Sequence, residues 1–215
     1  PHDSWFSRDD TVFEKIADTL GVLPDPIPKN ATAILLLEGK GDVIFVRHLA
    51  EQLRAGGFLT HTLEEKRIAL VPIGGCGNLK HWTTLRLVDQ FNIPYCVLQD
   101  SDKGTKEELI NIAKIESLKN IGIKAYLTRK REPENYIHLD CLNLPAGSTF
   151  TYTETCDAKA LISQEKSSSS RTVLEDYWIL MSSNQIREVE RYQENGIDRY
   201  EFTEMLNDFL SLVPN

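Results

Sequence analysis

The 215 residues include 24 Lys and Arg against 32 Asp and Glu, for a formal net charge of −8, and 41% are hydrophobic. This composition supports a packed core and excludes a largely disordered chain. The acidity argues against a free-standing protein that binds nucleic acid by charge alone, since such proteins are usually basic. No apolar run is long enough to cross a bilayer, so no membrane contact is expected.

The four cysteines show no CxxC spacing and the five histidines are scattered along the chain, which argues against a zinc site. A reduced, cytoplasmic setting fits this cysteine usage best.

Residues 1–29 predict a helical lead-in and a linker. Apolar residues at helical spacing indicate a helix over 13–23, and Pro24, Pro26 and Pro28 then form a stiff connector. Because the chain opens on Pro1, we expect it to be a fragment of a longer protein.

From residue 30 onward, short apolar runs alternate with amphipathic stretches. The runs predict strands over 33–37, 68–73, 94–99 and 123–128. The amphipathic stretches predict helices over 42–54, 79–91 and 105–118, the last opened by a capping box at Thr105–Glu108. Such alternation predicts an α/β fold, with a parallel sheet flanked by helices on both faces.

Beyond residue 139 apolar runs and amphipathic stretches no longer alternate. The serine-rich stretch Gln164–Arg171 predicts a mobile loop, and helices are expected at about 173–181, 185–194 and 200–212. We therefore expect a catalytic core over 30–139, followed by a loop and C-terminal helices over 140–215.

Two of the predicted strands end abruptly in carboxylates. Glu38 and Asp42 follow the first strand, and Asp100 and Asp102 follow the third. Open parallel sheets bind ligands at the carboxyl ends of their strands, so both pairs fall where sites form. Clustered carboxylates must either shift their protonation or bind a hard divalent cation. This pattern predicts a reaction on a phosphate that depends on Mg²⁺ or Mn²⁺. The alternative is that these acids only cap turns and helix starts.

Together these residues resemble a Toprim domain over about 33–137, with Glu38 as its strand-end Glu and Asp100-Ser-Asp102 as its DxD. Three segments resemble the OLD (overcoming lysogenization defect) nucleases in particular. They are Glu38-Gly-Lys-Gly-Asp42, Gly74-Gly-Cys-Gly-Asn78 and Arg131-Glu-Pro-Glu134-Asn-Tyr-Ile137.

The resemblance implies a Toprim-like (Rossmann-like) parallel sheet with a C-terminal helical appendage. It also implies a metal-dependent DNA endonuclease or nickase that uses two metals and serves in defence against phage. The metal ligands that it implies are Glu38, Asp42, Asp100, Asp102 and Glu134. Glu132 is a weaker candidate ligand, and Glu38, Asp100 and Asp102 would also be catalytic.

Many OLD-type nucleases use a lysine late in the domain. Arg199 stands in the matching region here, so the identity of the cationic catalytic residue stays open between Arg199, Lys159 and Lys166.

Four cations are candidates for DNA contact. Arg129, Lys130 and Arg131 form a run beside the acidic segment, and Lys80 lies just inside a predicted helix start, where free N–H groups favour phosphate. A solvated charge run is an equally good interpretation of residues 129–131.

The expected partners are DNA and an ATPase. OLD proteins join this domain to an ABC-type ATPase, yet the sequence has no GxxxxGK[ST] loop and hence no ATP site of that kind. The ATPase would lie on a missing segment or on a separate chain, and a homodimer is also considered. Two other function classes stay open: topoisomerase or primase-like Toprim chemistry, and a non-catalytic interaction module.

Overall fold

The computed structural model describes residues 30–75, 93–166 and 177–213. The helices predicted over 13–23 and 79–91, together with Lys80 and most of the helix predicted over 173–181, lie outside these ranges.

A four-stranded parallel sheet organises the described part of the chain. Its strands are β1 (Ala33–Leu37), β2 (Ile68–Pro72), β3 (Tyr95–Gln99) and β4 (Lys124–Leu127). Their order is β2-β1-β3-β4, and every neighbouring pair is parallel. The predicted fold class is confirmed, and each strand begins and ends within two residues of its predicted bounds.

The central strand β1 is apolar along its whole length because both faces of the sheet are covered. All five of its residues are buried. Leu35 and Leu37 face a core that they share with helix α1 (Lys40–Ala55), whereas Ile34 and Leu36 face a second core with helix α2 (Glu108–Asn120).

The C-terminal part combines helices with a hairpin. The helices are α3 (Ala158–Lys166), α4 (Ser183–Glu190) and α5 (Glu201–Leu210), and the antiparallel strands β5 (Arg191–Glu194) and β6 (Ile197–Tyr200) lie between the last two. A helix was predicted to continue through residue 194, but α4 ends at Glu190 and Arg191–Glu194 form a strand.

The helix predicted over 185–194 is therefore wrong in its second half. Asn195 and Gly196 have φ angles of 53° and 77°, which makes a tight hairpin turn and forces the preceding residues into a strand. The loop predicted from Gln164 is also wrong at its start, because α3 continues to Lys166.

An aromatic cluster joins the C-terminal part to the sheet. The ring of Phe45 on α1 lies 4.7 Å from Trp178 and 5.3 Å from Phe202 of α5, and Phe202 lies 4.7 Å from Tyr136. All four side chains are almost completely buried. Because such ring pairs stabilise beyond the area that they bury, the cluster fixes the segment around Tyr136 against α1 and α5.

Among the described residues, no helix is both long and apolar enough to cross a membrane.

Candidate active site

The carboxyl ends of the two central strands deliver the first acidic side chains. Glu38 directly follows β1 and Asp100 directly follows β3, and these strands are paired with Leu36 opposite Val97. Asp42 lies in the first turn of α1, where its Oδ2 accepts a 2.7 Å hydrogen bond from the Gly39 N–H. The sheet topology thus brings acids that are far apart in sequence to one edge.

The electrostatics of Asp100 show that these acids form one cluster. Burial raises its pKa well above the ordinary value, and the neighbouring charges of Asp42, Glu38, Glu134 and Asp102 raise it further. The charges of the other four carboxylates predicted as metal ligands therefore all act on Asp100.

A lysine lies against the same cluster. Lys159 on α3 has its Nζ 2.9 Å from Oε1 of Glu134, whose side chain is only 2% exposed. Burial raises the pKa of Glu134, and Lys159 opposes that rise. Burial raises the pKa of Asp42 to about 6, with Glu38 adding to the rise and Lys159 opposing it.

The donor set suits a hard divalent cation. It consists of carboxylate oxygens whose charges repel one another, and a bound cation would relieve that repulsion. Across residues 30–75, 93–166 and 177–213, no three acidic, His or Cys side chains already stand close enough to hold an ion. The carboxylates fit in kind and in charge, and ligation would require their side chains to move closer together.

Asp102 is held by a buried amide. Its backbone adopts a left-handed φ of 51°, and its N–H donates to the Arg131 carbonyl at 3.0 Å. Its Oδ2 accepts a 2.8 Å hydrogen bond from Nδ2 of Asn111, a residue that is 1% exposed on α2. Nε2 of Gln99 in turn donates to Oδ1 of Asn111 at 3.0 Å. These two hydrogen bonds, from Gln99 to Asn111 and from Asn111 to Asp102, therefore set the direction of the Asp102 carboxylate.

The segment that carries Glu134 is fixed from the other side by α5. The Tyr136 hydroxyl accepts from the Lys130 N–H at 2.8 Å and donates to Oε2 of Glu201 at 2.7 Å. Oε1 of Glu201 also accepts from the Arg129 N–H at 2.6 Å. Burial raises the pKa of Glu201 to about 7, while the hydrogen bonds to its carboxylate oppose that rise.

The cations predicted to contact DNA already have partners within the chain. Arg129 donates to Oε1 of Glu154, and Nζ of Lys130 donates to the Asn135 carbonyl at 3.1 Å. Arg131 lies 3.2 Å from Oδ2 of Asp157. The fourth candidate, Lys80, is outside the described residues.

Of the three candidates for the cationic residue, only Lys159 contacts a carboxylate of the cluster in the described part of the chain. Arg199 on β6 binds Glu204 and Glu194, with nitrogen–oxygen distances of 2.8 Å to each. Lys166 donates to the Asn143 carbonyl at 3.1 Å.

A sequence comparison shows which family this part of the chain is similar to. Residues 31–102, from the start of β1 to the DxD, match the family described as "Overcoming lysogenization defect protein-like, TOPRIM domain". This third of the chain is therefore similar to an OLD-like Toprim domain.

A solved structure shares this fold. The C-terminal region of the Burkholderia pseudomallei OLD protein aligns with a TM-score of 0.50 and 16% identity, covering 84% of this chain and 98% of that one. The C-terminal region of the Xanthomonas campestris pv. campestris OLD protein gives 0.48 and 16%, covering 86% and 98%. No curated protein matches the chain in sequence.

Several residues that surround the acids were not predicted from the sequence. Asn111 was detectable, since it occupies the buried stripe of α2 one turn before Ile115, where an apolar side chain is expected. Lys103, Glu154 and Glu201 carried no such signal, because their roles depend on contacts between distant segments.

Proposed function

We propose that this Toprim domain is a metal-dependent DNA endonuclease or nickase. The observation that carries the proposal is the single electrostatic cluster formed by the acids that follow β1 and β3, with Glu134 and Lys159 beside it. Toprim domains generally bind divalent metals, and oxygen-only acidic sites of this kind suit hydrolysis of phosphodiesters.

The residues proposed to hold Mg²⁺ or Mn²⁺ are Glu38, Asp42, Asp100, Asp102 and Glu134. When bound, two such ions would activate a water and neutralise charge on the phosphodiester. The chain's own part is to orient the ligands: Asn111 directs Asp102, and Lys159 holds Glu134.

Lys159 is proposed as the cationic catalytic residue. Its side chain is 39% exposed and so can be reached by a substrate, and its ammonium interacts with Asp100 as well as Glu134. Although burial opposes protonation, these carboxylates raise the pKa of Lys159, so it stays charged and can stabilise negative charge that builds up on a phosphate.

The wider setting is also a proposal. We propose that the chain acts in the cytoplasm together with an ABC-type ATPase carried on another segment or chain, and that the pair serves in defence against phage. The net charge of −8 supports a need for such a partner, because the domain alone has little overall attraction for DNA.

Plasmid nicking tests the proposed activity. The purified chain should convert supercoiled plasmid to nicked or linear forms with Mn²⁺ or Mg²⁺. Glu38→Gln and Asp100→Asn should abolish the reaction, since each removes a ligand charge. Glu51→Gln is the matched control, because Glu51 is exposed on α1 and its loss changes the net charge equally. Cutting that survives both substitutions and excess chelator would contradict the proposal.

A further inference from the structure

A basic rim lies next to the acidic cluster. It consists of Lys103, Arg129 and Arg131, whose side chains are 33%, 24% and 23% exposed. The rim is joined to the site by the backbone, because the Asp102 N–H donates to the Arg131 carbonyl at 3.0 Å. A nucleic-acid strand with one phosphate at the carboxylates would therefore pass along these cations.

One carboxylate occupies the centre of this rim. Oε1 of Glu154 accepts from Arg129, and its Oε2 lies 3.1 Å from Nζ of Lys103. A backbone phosphate would present the same pair of anionic oxygens to the same two donors. Although burial opposes ionisation, the hydrogen bonds from Arg129 and Lys103 lower the pKa of Glu154, so the carboxylate is charged.

The rim retains donor capacity that the chain does not use. Nε of Arg131 is buried, and within the described ranges it has no hydrogen-bond partner. Its guanidinium meets the half-exposed Asp157 through a terminal nitrogen, at 3.2 Å. Because the Arg131 side chain is 23% exposed and pairs through one terminal nitrogen, its guanidinium still offers N–H donors to an incoming anion.

The backbone that carries Glu154 is anchored independently of its side chain. Nδ2 of Asn135 donates to the carbonyls of Thr153 and Cys156, at 2.7 and 3.1 Å, and the Arg131 N–H donates to the Glu154 carbonyl at 2.8 Å. The Glu154 side chain is 42% exposed. It can therefore rotate into solvent while the segment stays in place, and exposed ion pairs cost little to separate.

We propose that Lys103, Arg129 and Arg131 bind the phosphates of nucleic acid, and that the Glu154 carboxylate holds this rim in the free protein until a phosphate displaces it. The proposal rests on the proposed function, which makes nucleic acid the ligand. It adds Lys103 to the contact surface and makes Glu154 an internal competitor of the substrate.

DNA binding without cleavage tests the exchange. Fluorescence anisotropy with a short labelled duplex in EDTA, over a series of salt concentrations, gives both the affinity and its salt dependence. Glu154→Gln should bind several-fold more tightly than the unaltered chain, because the rim no longer has to release a carboxylate. The slope of log affinity against log salt should steepen by about 0.9 for each additional phosphate that the rim neutralises.

Two further variants separate the exchange from a general charge effect. Glu51→Gln changes the net charge by the same amount at a residue outside the rim, and it should leave the slope unchanged. Lys103→Gln should weaken binding while leaving the hold of Arg129 on Glu154 intact, and it tests the rim even if Glu154→Gln loosens the fold.

Binding by Glu154→Gln that is unchanged or weaker would overturn the proposal, as would equally tighter binding by Glu154→Gln and Glu51→Gln. Displacement of DNA by polyglutamate at equal charge concentration would also overturn it, since the rim would then be a site for acidic protein. If Glu154→Gln binds more tightly but no variant cleaves plasmid, the nuclease proposal fails and the exchange stands. If plasmid is cleaved but Glu154→Gln does not bind DNA more tightly, only the proposed exchange is refuted.

Discussion

Replacing Asn111 with Ala should weaken metal binding without touching a metal ligand. The substitution removes the 2.8 Å hydrogen bond that directs Oδ2 of Asp102 and leaves Nε2 of Gln99 without its 3.0 Å acceptor. It also frees Nζ of Lys114, which donates to the same amide at 3.2 Å. The Asp102 carboxylate then has no fixed direction, although its charge is unchanged.

The expected size of the effect follows from these contacts. Loss of the group that orients a ligand typically weakens metal affinity by about 10- to 100-fold. The buried Gln99 donor left unpaired should cost about 1–3 kcal/mol of folding free energy. For a chain of this length, each kcal/mol lowers the unfolding temperature by about 2–4 °C.

Calorimetric titration with Mn²⁺ and thermal unfolding in EDTA measure the two effects separately. Asn120→Ala is the matched control, because Asn120 is exposed at the end of the same helix. Asn111→Ala that binds Mn²⁺ as tightly as the unaltered chain while unfolding at a lower temperature would refute the reasoning, since Asn111 would then serve only the fold.

Two further expectations concern pH and the lysine. Burial raises the pKa of Asp42 to about 6 and that of Glu132 to about 7, so the stability that these groups contribute is present at about pH 4 and is lost as the pH rises through those values. In EDTA the unfolding temperature should therefore fall from about pH 5 to pH 8, and Mn²⁺ should raise it more at the higher pH; a rise in EDTA would contradict this assignment. Lys159→Met should slow plasmid nicking about 100-fold, because it removes the cation beside Glu134, whereas Arg199→Gln should leave the rate unchanged. The opposite ranking in a single-turnover assay would make Arg199 the cationic residue.

The sheet was predictable because its strands are short apolar runs that end in turns. β1 reads Ala-Ile-Leu-Leu-Leu and is buried throughout, so pattern and environment agree. The exact start of helix α2 was harder to predict. It begins at Glu108 rather than Thr105, because Thr105 Oγ1 accepts a hydrogen bond from the Glu107 N–H and holds a turn there.

The C-terminal hairpin depends on a local signal that competes with a helical one. Asn195-Gly196 is a turn dipeptide, yet the charged residues around it also suit a helix, and the pattern alone favours the helix. The convergence of Glu38 with Asp100 could be predicted, since parallel strands end at one edge. The contact between Glu154 and Arg129 could not, because nothing in either segment specifies that they meet.

The sheet order also governs when the acidic cluster can form during folding. β1 pairs directly with β3 rather than only with its sequence neighbour β2, and the paired residues Ile34 and Tyr95 are about 60 positions apart in the chain. Bringing them together costs loop-closure entropy before the contacts between them can stabilise the fold. We therefore expect this pairing to be among the slow events of folding.

A nascent chain that has emerged only as far as β2 therefore holds Glu38 and Asp42 without their partners. Asp100 arrives with β3, and Glu134 takes its place only when Tyr136 packs against Phe202 of α5, near the end of the described residues. The full set of carboxylates is thus assembled late, once most of the described fold has formed. Incomplete or misfolded copies of the chain would carry the acidic residues without the arrangement that could act on a phosphodiester.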